Sequence, residues 1–169
     1  GLLDQLLAQG PDSLLYDELV RKRALTGGVD AGINWGLGNM FDYNGPMLWT
    51  AQIFHDSTTS SEQLLAAFDS VVARIQQQGV DQATLDRALI KTRSALYAGI
   101  EQFAGFGRAN LLASFALFDD DPDRINRLED EFAKVTPALL QKTANEYLRP
   151  TNRTVYVITP GAPAAAAGA

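Results

Sequence analysis

Val29-Asp30-Ala31-Gly32-Ile33-Asn34-Trp35-Gly36-Leu37 decides the architecture of this chain. Larger apolar side chains at 29, 31, 33, 35 and 37 alternate with aspartate, asparagine and glycine, the period of two that lays one strand face on a core. Glycines on the second face let another backbone approach closely. A turn around Asp42, Asn44 and Gly45 follows, and a second strand is predicted from about Met47 to Phe54, antiparallel to the first. On both sides of this pair the apolar spacing turns helical. Upstream, Leu2, Leu3, Leu6 and Leu7 mark one amphipathic helix, and Leu14 to about Arg23 a second, with Asp12 or Ser13 as N-cap and Leu15, Tyr16 and Leu19 inward.

Downstream, Ser60 and Gln63 have capping-box spacing, and Leu64, Phe68, Val71 and Ile75 form the stripe of a third helix that Gly79 ends. Asp81 starts a fourth, with Leu85, Leu89, Thr92, Leu96 and Ile100 on one face. Gly105 and Gly107 interrupt it before a further helix from about Arg108 to Phe118. A short helix is expected over 122–131. The last has Thr136 as N-cap and Pro137 at its first position, and stops before Pro150. Arg153 to Ile158 is predicted to be a closing strand. This order is not regular strand-helix alternation. It predicts an α+β fold, a mostly antiparallel sheet with helices packed on one face. Three strands are few for so many helices, so a first strand is expected upstream of Gly1. The start without methionine, inside a helical pattern, leads to the expectation of a segment of a longer protein. Residues 1–160 are expected to form the domain and the Ala/Pro/Gly-rich 161–169 a loose tail.

The chain has 169 residues, 46% of them hydrophobic and 20% charged, the composition of a globular domain. It contains no cysteine, which excludes disulfides, thiolate metal sites and cysteine nucleophiles. Its single histidine, His55, excludes a zinc site built from several histidines of this chain. A net charge of -6 argues against a nucleic-acid surface. No apolar run has the length of about 18 residues that would span a membrane.

His55 is followed by Asp56, but neighbouring strand residues point to opposite faces, so the pair is expected to be a polar strand end. Asp119, Asp120, Asp121 and Asp123 suggest calcium, yet the sixth and twelfth positions of an EF-hand loop would be Arg124 and Asp130, where Gly and Glu are needed. Residues 119–131 hold seven acids and two bases, expected as a solvated face. Gly27-Gly28 and Gly36-x-Gly38 lack the strand-to-helix context of phosphate loops. The loop Ser57-Thr58-Thr59-Ser60-Ser61 has no nucleophile-elbow motif. No catalytic, cofactor-binding or metal-ligating residue is assigned to this chain.

Asp12-Ser13-Leu14-Leu15-Tyr16-Asp17-Glu18-Leu19-Val20-Arg21-Lys22-Arg23-Ala24-Leu25 resembles a segment of the pitrilysin/insulinase family of zinc metallopeptidases, which includes mitochondrial processing peptidase. Gly79 to Ala88 resembles the family's Gly-Val-Thr-x-x-Glu-Leu stretch. Arg108-Ala109, Val135-Thr136 and Tyr147-Leu148-x-Pro150 extend the resemblance over about residues 2 to 160. It implies the second domain of a half-unit, noncatalytic, lacking the inverted motif His-x-x-Glu-His. A substrate-contacting Arg and Tyr of the noncatalytic half fall at Val20 and Gly27, Leu14 replaces a family arginine, and Arg21 and Arg23 lie near in register without a tyrosine. The implied parent is a peptide-hydrolysing zinc enzyme whose metal sits on an upstream domain. The implied partners are that domain, a second homologous half and a peptide substrate. The present domain would contribute packing and chamber wall, with the glycine-bearing face of Val29–Leu37 inward. The alternative is an assembly subunit without peptidase activity. The resemblance is compatible with a bacterial periplasmic enzyme, as is the lack of cysteine.

Overall fold

A computed structural model describes residues 1–35 and 40–159, with the side chains of 103, 104 and 106 outside the description. Gly36, Leu37, Gly38 and the tail 161–169 therefore lie outside the described residues. The chain is mostly helical around a two-stranded antiparallel sheet, an α+β arrangement.

Helix α1 (Leu2–Ala8) buries Leu2, Leu6, Leu7 and Ala8, as its leucine spacing requires. Gly10, at φ +84°, turns the chain. The Lys91 ammonium donates to the Gln9 carbonyl and to Asp12, both at 2.6 Å, placing a cation at the open end of α1. The next turns are helical, but Tyr16–Lys22 is wound as a π-helix. Leu15 and Leu19 are fully buried. Neither expected N-cap acts as one. Ser13 is buried with its hydroxyl unpaired, and Asp12 is held by Lys91. The helix ends in a Schellman-like turn: Ala24 takes a left-handed φ of +50° and the Leu25 amide donates to the Leu19 carbonyl at 2.8 Å.

Strands β1 (Asp30–Ile33) and β2 (Trp49–Gln52) pair with Asp30 opposite Gln52 and Ile33 opposite Trp49. Both are shorter than expected. After Ile33 the chain leaves the extended region at Asn34, φ +53°, whose amide donates to the Leu48 carbonyl at 2.9 Å. Of the glycines expected on the second face, Gly32 lies within the described residues. A Cβ there would sit 3.7 Å from Trp35, in ordinary van der Waals contact.

Helix α2 (Ser61–Gln78) carries the expected capping box, with Gln63 N–H on the Ser60 hydroxyl at 3.2 Å and Ser60 N–H on Gln63 Oε1 at 3.0 Å. Its Ala67, Val71 and Ile75 pack on Ala31 of β1 and, at the margin, on Trp49 and Ala51 of β2. Gly79 ends it at φ +70°.

Helix α3 (Gln82–Asp119) starts on the expected cap, Asp81 accepting from Thr84 N–H at 2.7 Å. It runs through 119, but the expected interruption before Arg108 is present as a sharp turn back, because residues 99 and 107 would stand about 12 Å apart in a continuous helix. Gly105 has φ +94°, and Gly107 lies so close to Gly99 that an added Cβ would fall on the Gly99 carbonyl. A 3₁₀ turn (Pro122–Arg127) and α4 (Leu128–Ala133) replace the single short helix expected at 122–131. Helix α5 (Pro137–Tyr147) has Thr136 as N-cap and Pro137 at its first position, as expected. Gln141 and Asn145 donate to the Gln76 carbonyl at 2.9 and 3.1 Å, satisfying an end group of α2.

Three apolar clusters result. One lies between sheet and α2 with Leu7, Leu15, Leu19 and Ala144; a second joins Leu2, Leu6, Leu85, Ala88 and Leu140; a third joins Ile100, Leu111, Phe115 and Leu128. Leu3 packs against both of the first two. The closing strand at Arg153 to Ile158 is a correction. Among the described residues it pairs with no strand, because neither β1 nor β2 lies alongside it as a ladder partner.

Candidate functional site

An open pocket of about 450 Å³ is lined by Ala24, Leu25, Thr26, Gly27, Phe54, His55 and Asp56. Its two walls are the turn after the π-helix and the chain leaving β2. The Thr26 hydroxyl ties them, donating to the Phe54 carbonyl at 2.5 Å and accepting from Gly28 N–H at 3.2 Å. Nothing lies within 4 Å of the position a Cβ would take on Gly27. At this position the family resemblance expects a tyrosine. The pocket wall there offers backbone only, and the half-buried Val20 offers no polar group toward an anion or carbonyl. Nearby cations are engaged: Arg23 with Glu18 at 2.7 Å, Lys22 with Asp17 at 2.7 Å, and Arg21 over the Tyr16 ring at 5.6 Å. Leu14 packs against the first apolar cluster.

The exposed His55 is fixed by neighbours close in sequence. Nδ1 meets the Asp56 carbonyl at 2.9 Å and Nε2 the Ser61 hydroxyl at 3.3 Å. The Asp56 carboxylate turns away to accept from Thr58 N–H at 2.9 Å and Thr58 Oγ1 at 2.5 Å, bonds that hold its pKa below the usual carboxylate value. Asp56 therefore does not orient the imidazole through its side chain. The His55–Ser61 contact is invisible in the sequence pattern, because it arises from the loop folding back onto the start of α2. Its only trace is a serine six residues on, at a predicted helix start.

The acidic run is organised by arginines. Arg124 bonds Asp119 at 2.7 Å and Glu131 at 3.0 Å, and its guanidinium lies 5.2 Å from the Phe115 ring centroid and 5.9 Å from that of Phe41. Its hydrogen bonds to Glu131 and Asp119 hold its proton more firmly than usual. Arg127 pairs with Asp121 and with Asp123. Asp120 takes φ +53° to cap α3. These carboxylates face guanidinium groups rather than converging on one point.

The donor set does not fit a zinc centre. Among the described residues no group of three or more His, Asp or Glu side chains could hold a metal ion, and the one imidazole is engaged at the end of β2. Among the described residues no helix is long and apolar enough to cross a membrane.

The M16 peptidase inactive-domain family model matches residues 1–91. No match was found among curated proteins. Solved structures that share the fold include three bacterial proteins. The inactive peptidase domain of a candidate zinc protease from Bordetella parapertussis has a TM-score of 0.72 at 24% identity, over 96% of this chain and 84% of that one. A candidate zinc protease from Bordetella pertussis Tohama I gives 0.69 at 21%, over 90% and 79%. A protease from Helicobacter pylori gives 0.71 at 20%, over 89% of this chain and 34% of its own, so this chain spans about a third of that protein.

Proposed function

The chain belongs to the M16 peptidase inactive-domain family, and from that premise we propose that it is the noncatalytic domain of a zinc metallopeptidase that hydrolyses peptides. The match of residues 1–91 to that family carries the reading. The zinc and the general base that activates its water would reside on another domain. This domain would act by packing: it buttresses the metal-bearing domain and forms part of the wall of the chamber that holds the peptide. The backbone-walled pocket at Gly27 agrees with a surface that shapes space without supplying an electrophile.

The test uses the full-length parent. Zinc-dependent cleavage of a fluorogenic peptide is expected, and deletion of the segment corresponding to residues 1–159 is expected to abolish it while the metal-bearing domain still binds zinc. Cleavage that survives the deletion at the same rate would refute the reading. A parent that binds no zinc and cleaves nothing, yet assembles into a larger complex, would favour an assembly subunit instead.

A further inference from the structure

The segment between the two strands carries Asp42-Tyr43-Asn44-Gly45-Pro46, with the only Asn-Gly pair in the sequence. Its start is tied down: the Asp42 carboxylate accepts from Asn110 Nδ2 at 2.8 Å and from Ser114 Oγ at 2.9 Å, both on α3. Asn44 and Gly45 are not held in this way. Both are exposed and belong to no helix or strand. Among the described residues, neither the Asn44 carboxamide nor the Gly45 N–H has a hydrogen-bond partner. Glycine has no Cβ to crowd its own nitrogen. Tyr43 takes the space a side chain at 45 would need, its Cε1 lying 2.9 Å from where that Cβ would stand. The other described asparagines lack this combination. Asn126 and Asn152 are exposed, but each precedes an arginine, and their carboxamides donate to Asp123 at 2.7 Å and to the Tyr147 carbonyl at 2.9 Å. Asn110 and Asn145 lie inside α3 and α5, where the helical ladder fixes the backbone, and Asn34 is buried.

We propose that Asn44-Gly45 is a site of spontaneous deamidation in the folded chain. The Gly45 nitrogen attacks Asn44 Cγ. The N–Cγ bond forms, the Cγ–Nδ2 bond breaks, and ammonia leaves with the proton that the Gly45 amide gives up. Water then opens the cyclic imide at either carbonyl, leaving aspartate or isoaspartate at position 44. Water is the co-reactant, and the step needs no oxidant or reductant. Attack requires the carboxamide to swing onto the nitrogen that follows it. A side chain held by a hydrogen bond, or a backbone locked in a helix, resists that swing, and Asn44 carries neither restraint. Either product places a new negative charge two residues from the Asp42 carboxylate. Isoaspartate also inserts a methylene into the main chain between β1 and β2. The inference concerns the chemistry of this segment and holds or fails separately from the peptidase reading.

The test is to age the purified chain in neutral buffer, digest it, and sequence the peptides by electron-transfer fragmentation, which distinguishes aspartate from isoaspartate. Conversion at 44 is expected to exceed that at 126 and 152 by about tenfold or more, since only there is the attacking nitrogen a glycine's. Comparable conversion at the three positions would overturn the proposal. The same chain unfolded in guanidinium chloride supplies a second arm. Folded and unfolded chains are expected to convert position 44 at similar rates. Conversion confined to the unfolded chain would overturn the proposal, because the fold would then be holding the pair apart. Gly45→Ala, aged both folded and unfolded, tests the attacking atom. It should slow conversion at 44 by about tenfold or more in either state, because a Cβ now crowds the nitrogen. Unchanged conversion in the variant would overturn the assignment of that nitrogen as the nucleophile.

Discussion

Substitution of Gly107 by alanine separates two physical effects of opposite sign. In a straight exposed helix, Gly→Ala stabilises by about 0.8–1 kcal/mol, because glycine surrenders more backbone entropy. At Gly107 the new methyl would overlap the Gly99 carbonyl oxygen and stand 3.0 Å from its carbon. Both obstacles are backbone, so no side-chain rotation relieves them. Re-opening the bend should cost on the order of 2–4 kcal/mol, as overpacking and strain in packed sites do. After the propensity gain is subtracted, a loss of roughly 1–3 kcal/mol remains, a fall of about 2–12 °C in melting temperature for a chain of this size. Gly99 supplies the control, since its own Cβ would meet nothing within 4 Å. Gly99→Ala should therefore raise the melting temperature by about 2–4 °C through propensity alone. Parallel thermal and urea denaturation of both variants decides the matter. If Gly107→Ala stabilises as Gly99→Ala does, the bend in α3 is absent and the reasoning is wrong.

Three further outcomes are expected. Ser60→Ala should cost about 1 kcal/mol in urea denaturation, because the exposed start of α2 loses the hydroxyl that accepts from Gln63 N–H; no change would mean that the capping box contributes nothing. Asp4 accepts from Trp49 Nε1 at 2.5 Å and Gln9 Nε2 at 3.1 Å, yet burial outweighs these bonds and raises its pKa. A raised folded pKa makes its contribution largest below the unfolded value and lost as pH rises through the folded one. Stability of the parent relative to Asp4→Asn should accordingly decline from pH 4 to pH 7 in paired denaturation curves, and a rise over that window would contradict the assignment. The purified chain, dialysed against zinc and then buffer, should retain no stoichiometric metal by elemental analysis, and tight binding of one zinc per chain would overturn the account of its donor set.

Legibility in the sequence followed the range of the forces. Ser60 with Gln63, Gly79, Asp81 and Thr136 with Pro137 each act within one helical turn, and each stands where its residue type demands. Strand limits depend on distant partners: β1 stops where Asn34 enters the left-handed region and bonds Leu48, a contact no local pattern encodes. The π-winding of Tyr16–Lys22 has no counterpart in the local pattern, because Leu15 and Leu19 are spaced as an α-helix would also place them. Of the candidate site, the identities at Val20, Gly27 and His55 were legible. The pocket was not, because it forms between residues 24–27 and 54–56, segments far apart in the chain.

The seven residues of α1 touch both the cluster under the sheet and the cluster beside α3, and α5 does the same through Ala144 and Leu140. Neither half can lose its order without exposing side chains that the other half also covers, so melting of one drags the other with it. The two clusters should consequently lose their packing in one transition rather than one after the other.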